Sequence, residues 1–185
     1  MTERVMVFID GANLYNCMKE SLGMTQNVKV DLLGTKLANG RDLLRTYYYN
    51  SPAPPSVDQT GFQRYWSKLN WLNNVRPRLG RIIPKNVDVE CPACHKSFLH
   101  KTHIQKGVDT RIVVDVISLA QSNSYDTGIV VSGDSDLAEA LEWVREHTQK
   151  RIENACVPCR SWSEEIRNAA DVKTQLTKEY LTACL

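Results

Sequence analysis

The sequence predicts an α/β domain: a parallel sheet with helices on both faces. Three observations carry that prediction. Val5–Ile9 and Thr127–Val131 are continuous apolar runs of the kind that fill a fully buried central strand. Each is followed by apolar residues at helical spacing, so strand and helix alternate as in a parallel sheet. Two of the strand ends also carry acidic turns, Asp10-Gly11 and Ser132-Gly-Asp134-Ser-Asp136.

The first helix follows Asp10, with Leu14, Met18 and Leu22 four apart. Leu43–Tyr49 is the second strand, closed by the turn residues of Asn50–Pro55. The aromatic run Tyr47–Tyr49 falls within it, where core packing competes with base stacking. Phe62, Trp66, Leu69 and Trp71-Leu72 mark an amphipathic helix. Arg78–Pro84 reads as a third strand whose prolines place it at a sheet edge. Residues 86–105 are polar and rich in Cys, His and Lys, and form an insertion. A helix runs from about Val108 to Ala120, and after strand four Leu137, Leu141 and Val144 build the next. Ile152–Val157 is the fifth strand, and Ser161-x-x-Glu164 has the pattern of a capping box for the last helix.

At 185 residues, 42% hydrophobic and 24% charged, the chain suits one domain spanning 1–185, with the insertion as an accessory module. Its apolar runs are too short to span a bilayer, and Glu3 and Asp10 bracket the first of them, unlike a signal peptide. A cytoplasmic protein without membrane contact is expected. A net charge of +2 gives no general attraction to nucleic acid, so the local negative cluster is the feature to explain.

In open α/β sheets, ligands bind beyond the carboxyl ends of the strands. Asp10 closes strand one, and Asp134 and Asp136 follow strand four, on the same rim. At roughly 100° per residue, Asp109 shares a stripe with Ile112, Val113, Val116 and Ala120, which turns it inward at the start of its helix. Asp115 falls toward the flank and is expected to be solvated. Helix capping explains Asp10, Asp134 or Asp136 singly, and the helix dipole explains Asp109. Neither requires three segments to deliver acids to one rim. Gly11 and Gly133 permit tight turns or a close approach by substrate. Clustered carboxylates with few histidines suit Mg²⁺ or Mn²⁺, ions that promote attack on phosphate.

These segments resemble the NYN domain family of PIN-like nucleases. Phe8-Ile-Asp10-Gly-Ala-Asn13-Leu-Tyr15 resembles its first motif, Lys106-Gly-Val-Asp109 its second and Val131-Ser-Gly-Asp134-Ser-Asp136-Leu137 its third. Arg160-Ser-Trp-Ser-Glu-Glu-Ile166 and Ala169-Ala-Asp171 resemble its closing helix. The resemblance implies Asp10, Asp109, Asp134 and Asp136 as metal-binding acids, with Asn13 and Ser132 as supporting polar residues. It also implies a sheet ordered 3-2-1-4-5 and a metal-dependent endoribonuclease that hydrolyses RNA. A non-catalytic RNA-binding or scaffold module of the same fold is the alternative. An Asp-phosphorylating protein ranks third: Asp10-Gly-Ala-Asn13 lacks a second acid two residues on, and Val157-Pro-Cys159 stands where a receiver lysine would.

The cysteines point to metal rather than disulfides in a cytosolic chain. Cys91-Pro-Ala-Cys94, with His100 and His103, has the spacing of a structural Zn²⁺ site. Cys156-Val-Pro-Cys159 is a competing ligand pair, although edge strands three and five would lie far apart, and a reduced hairpin without metal is the remaining choice. Cys17 and Cys184 read as isolated core hydrophobes. Lys101, Lys106 and Arg160 are candidate phosphate contacts, with His100 and His103 beside them, against the competing reading of a solvated basic face. A homo-oligomer would pair through edge strand three or the insertion.

Overall fold

The computed structural model describes residues 2–55 and 58–185. Its six-stranded sheet has the order β3-β2-β1-β6-β7-β8. The strands are β1 (Arg4–Asp10), β2 (Asp42–Asn50), β3 (Val75–Leu79), β6 (Thr127–Val131), β7 (Arg151–Cys156) and β8 (Val172–Gln175). Every neighbouring pair is parallel. The expected five-strand order is corrected by β8, which covers β7, so the fifth predicted strand is not an edge.

Side chains of a strand alternate between faces, and β1 shows how one apolar run serves two cores. Val5, Val7 and Ile9 enter the core on one face of the sheet, and Met6 and Phe8 enter the core on the other. The first core is covered by α1 (Gly11–Leu22) and α2 (Val30–Ala38), with α3 (Gln59–Trp71) and α7 (Lys178–Thr182) contributing Leu69 and Leu181. The second is covered by α4 (Val108–Gln121), α5 (Ala138–His147) and α6 (Glu164–Asn168). The aromatic run in β2 is divided in the same way. Tyr48 joins the first core, whereas Tyr47 and Tyr49 join the second, with Tyr47 stacked on Phe8 at 5.5 Å between ring centroids. Tyr47 and Tyr49 are therefore packing residues.

Asp115 is not solvated as expected. Its Oδ2 accepts a 2.8 Å hydrogen bond from the Tyr49 hydroxyl and lies 3.3 Å from Arg78 Nε. The capping box at Ser161 is also displaced: Ser163 is the N-cap of α6 and accepts from Ile166 N.

The predicted third strand divides at Gly80. Residues before it form β3, and those after it begin β4 (Arg81–Glu90), which pairs only with β5 (Ser97–Lys106). The antiparallel register runs from Arg81↔Lys106 to Glu90↔Ser97, so the insertion is a ten-pair ribbon with Cys91–Lys96 at its tip. Its arms begin earlier than residue 86 because Ile82, Ile83 and Pro84 belong to the ribbon and not to the main sheet.

Chain order reverses about β1. The path goes outward through β2 and β3, then returns to pair β6 on the other side of β1. The adjoining carboxyl ends of β1 and β6 are thus the switch point at which an α/β sheet opens a crevice. Among the described residues, no helix is long and apolar enough to cross a membrane.

Candidate metal centre

Asp10 ends β1 and is the N-cap of α1, where its Oδ1 accepts from Asn13 N at 3.0 Å. Asp134 plays the same part on β6: its Oδ1 accepts from Asp136 N at 3.0 Å and starts the 3-10 turn Ser135–Leu137. Capping and clustering therefore coexist, because each cap uses one carboxylate oxygen. Ser132 ties the two caps together. Its hydroxyl donates to Asp10 Oδ2 at 3.4 Å and accepts from Asp134 N at 3.2 Å. Asn13 closes the arrangement from α1, with Oδ1 accepting from Gly133 N at 2.9 Å.

Asp10, Asn13, Asp109, Asp134 and Lys106 line one open cavity of about 220 Å³. Asp10 is 4% exposed. Burial first, and Asp109 and Asp134 after it, push its carboxyl up to about 6, against the lowering effect of the Asn13 and Ser132 hydrogen bonds. Asp109 is raised as well, by partial desolvation of its carboxylate and then by Asp134 and Asp136. No ion pair engages Asp10, Asp109 or Asp134 among the described residues. Like charges thus oppose the ionisation of Asp10 and Asp109, and a cation between the acids would remove that opposition.

The donor set fits a hard, hydrated ion. Carboxylate, amide and hydroxyl oxygens are the ligands of Mg²⁺ and Mn²⁺. The three carboxylates do not converge into a group with all ligand oxygens within 4.8 Å of one another. They leave room for water, and Mg²⁺ characteristically keeps several waters while taking only one or two carboxylates.

The route by which Asp109 reaches the cavity differs from the expected one. The buried stripe of α4 is Val108, Ile112, Val116 and Ala120, four residues apart, and Asp109 is exposed beside it. It enters from the solvent side of the first turn. Asp136 is exposed and does not line the cavity, acting on it only through its field at Asp109. Nor do Lys101 and Arg160 line it. Lys101 lies halfway along the ribbon, opposite Asn86, and Arg160 stands exposed after β7. The reading of the sequence missed Asn16 and Gln105, which do line it. Asn16 was legible, being three residues beyond Asn13 and therefore on the same side of α1.

The two glycines admit protein rather than substrate. A Cβ on Gly11 would come within 2.5 Å of the Tyr48 ring, and one on Gly133 within 2.6 Å of Ser161 O. Gly133 lets the β6 turn rest on the loop after β7, where its carbonyl accepts from Ser163 N at 3.0 Å.

The cysteine expectations need larger corrections. Cys17 is not an isolated hydrophobe: it is disulfide-bonded to Cys159, 142 residues away, with a Cα–Cα distance of 5.5 Å. The Cys156 sulfur completes a group with mutual distances within 4.8 Å, and the Ser161 hydroxyl lies 3.1 Å from Cys17 Sγ and 3.2 Å from Cys159 Sγ. Cys91 and Cys94 sit at the ribbon tip, where the Cys91 thiol is lowered by hydrogen bonds from the Ala93 and Cys94 backbone and from the Cys94 side chain. His100 and His103 do not join them. They pair with Val87 and Pro84 down the β5 arm, and their odd spacing turns them to opposite faces of the ribbon. His95 faces Glu90 instead, with Nδ1 2.6 Å from Oε1.

Comparison with known proteins agrees with this architecture. A protein of unknown function from Vibrio parahaemolyticus has a similar fold, with a TM-score of 0.67 at 19% identity over 97% of this chain and 96% of the other. No curated protein matches the sequence. The profile of the NYN domain matches residues 4–177. NYN domains are PIN-like and generally nucleases, typically using divalent metals and associated with RNA. The chain belongs to the NYN domain family.

Proposed function

We propose that the protein is a metal-dependent endoribonuclease whose Asp10, Asp109 and Asp134 hold Mg²⁺ or Mn²⁺ at the β1–β6 switch point. One observation carries this reading: three segments bring unpaired carboxylates to one open cavity, at the cost of raising Asp10 to about 6. A purely structural cluster would be expected to hold a basic side chain at ion-pair distance, since uncompensated charge destabilises a fold. Lys106 makes no such pair among the described residues. When bound, the ion supplies Lewis acidity, lowering the pKa of water and neutralising charge on the phosphate. The protein's share is positional. Ser132 and the backbone amides of Asn13 and Asp136 fix the Asp10 and Asp134 carboxylates, and Asn13 locks α1 to the β6 turn. Lys106, on the cavity wall, is placed to pair with a phosphate oxygen. Asp136, Lys101 and Arg160 have subsidiary parts in this reading, outside the cavity.

The deciding experiment is cleavage of single-stranded and structured RNA with Mg²⁺ or Mn²⁺, with a chelator control and the Asp10→Asn and Asp134→Asn variants. Turnover is expected in the parent and absent from the chelated sample and both variants. RNA binding without metal-dependent turnover would favour the scaffold alternative. Elemental analysis tests structural Zn²⁺ at Cys91 and Cys94, where the ribbon supplies two ligands and a complete site needs four.

A further inference from the structure

Beside the acid cavity lies a larger cleft of about 640 Å³ between α1 and α3, within the range of small-molecule sites. The two hollows share Ala12, Asn16 and Gln105 as wall residues, so they adjoin. Their chemistry differs sharply. The acid cavity is charged, whereas the cleft presents the rings of Tyr15, Phe62 and Tyr65 together with the amides of Asn16, Asn27 and Gln105. Its charged wall residue, Asp58, is occupied as the N-cap of α3, accepting from Thr60 N at 3.0 Å.

Phe62 and Tyr65 are held by neighbours as well as lining the cleft. Phe62 stacks on Trp66 at 5.7 Å between centroids, and Tyr65 packs edge-on against Tyr48 at 6.3 Å. Phe62 and Tyr65 stand three residues apart on α3 and so share a side of that helix. Tyr15 remains 38% exposed. Pre-fixed rings lose little conformational freedom when a flat ligand stacks on them.

We infer that this cleft is a subsite for an unpaired nucleobase of the strand whose phosphate lies at the acids. The inference rests on the nuclease reading for the phosphate. It adds that the substrate is single-stranded beside that phosphate. Aromatic faces stack bases of any identity. Amide side chains provide both donor and acceptor, matching the edge of a base that is free of its complement. Among the described residues no cation lines the cleft, so it does not favour phosphate, and the shared wall of Ala12, Asn16 and Gln105 puts both hollows within reach of one strand. A duplex keeps its bases stacked and paired, and would have to open before entering.

The test is a binding measurement, independent of turnover. Fluorescence anisotropy is read on the full chain carrying Asp134→Asn, to spare the probe, using short oligouridylate, oligoadenylate, the DNA equivalents and an abasic phosphodiester. Tyr15→Ala and Phe62→Ala are each expected to weaken the base-bearing probes by about 5- to 100-fold and to leave the abasic probe unchanged. Phe62→Trp should retain binding. Melting curves accompany each variant, and if Phe62→Ala unfolds, the exposed Tyr15→Ala carries the test. Equal losses on abasic and base-bearing probes, no loss on either, or no binding by the parent would overturn the subsite. Equal losses on RNA and DNA support a base subsite that ignores the sugar. The two readings fail separately. Base-dependent binding without any cleavage by the unsubstituted chain sinks the nuclease and spares the subsite, whereas cleavage unaffected by both substitutions does the reverse.

Discussion

The two ends of the parallel sheet treat their acids in opposite ways. Toward the amino ends of the strands, Asp126 and Glu153 each have an arginine. Asp126 receives Arg4, with Nη2 at 2.8 Å from Oδ1, and Glu153 is gripped by both Nη1 and Nη2 of Arg41 at 2.8 and 3.0 Å. At the carboxyl ends, Asp10, Asp109 and Asp134 have only one another and hydrogen bonds from neutral groups. The consequences for ionisation are opposite too. The Arg4 hydrogen bonds hold the Asp126 carboxyl well below the usual carboxylate range, while burial and like charges push Asp10 up. Charge that stabilises a fold is compensated within the chain. In the proposed reading, the charge left uncompensated at the switch point is there for a cation.

The largest effect should come from removing a member of the uncompensated end. Asp10→Ala is expected to reduce metal-dependent RNA cleavage by at least about a hundredfold, the scale of losing one electrostatic group from a preorganised site. The same substitution at Asp126 should leave cleavage nearly intact and lower the melting temperature instead. Equal losses of activity from both would erase the functional distinction between the two ends.

Next in size is Arg41→Ala, which leaves Glu153 only 8% exposed and without its bidentate partner. Breaking a buried pair by removing one member costs about 3–5 kcal/mol, and Arg151, 3.5 Å from Glu153, softens this toward the lower figure. Urea unfolding would measure it, and Arg41→Ala/Glu153→Gln should recover part of the loss. The disulfide follows. It closes a loop across most of the chain, so Cys17→Ser should cost up to about 5 kcal/mol by loop entropy, with about 2–4 typical. An unfolding midpoint that is unmoved by a dithiol reductant would contradict a stabilising role for that bond.

How much of this was legible depends on whether the signal was local. Asp10 and Asp134 were readable because a buried strand, an acid and a small turn residue are consecutive in the chain. Asp109 was found by a periodicity argument that placed it on the wrong side of α4, since Val108 occupies the core stripe. The strand β8 is only four residues long, with alternating partial burial, and carries too little pattern to announce itself. The ribbon was mistaken in part for an edge strand because an arginine followed by an aliphatic residue stands on both sides of Gly80. The bond between Cys17 and Cys159 was out of reach, since sulfurs 142 residues apart meet only once α1 and the loop after β7 pack together. Amide and aromatic residues of the neighbouring cleft come from α1, the loop after it, β2, α3 and β5, and likewise have no common signature in the chain.

Proton linkage provides a smaller test of the same contrast. The raised Asp10 carboxyl means that, between its ordinary value of 3.8 and about 6, the folded protein holds a proton that the unfolded chain has released. Stability of the metal-free protein must therefore fall as pH rises through that window, by on the order of 1–3 kcal/mol. Asp126 acts with the opposite sign: its stabilisation is complete above its ordinary value and is lost only as pH falls below it. Melting in chelator from about pH 5 to about pH 7.5 thus isolates the acid cavity from the paired end. Asp10→Asn should flatten the slope and raise the melting temperature at neutral pH, although it removes a residue that the cavity uses. A parent whose stability rises across this interval would contradict an uncompensated Asp10.

The smallest expected effect is at Asp136, the acid that divides the chain's pattern from its geometry. The motif groups it with Asp134, yet its side chain is exposed and off the cavity wall. What it gives Asp134 is a backbone N–H, which Asp136→Asn retains. What it gives Asp109 is a repulsive field through solvent. Such a field is screened over roughly 10 Å at 0.1 M salt. Asp136→Asn should accordingly change cleavage by less than about tenfold, with the change shrinking as salt is added, whereas the loss from Asp134→Asn should persist at every ionic strength. Should Asp136→Asn abolish cleavage regardless of salt, the carboxylate must move onto the ion when metal and RNA bind, and the cavity of three acids would have to be redrawn with four.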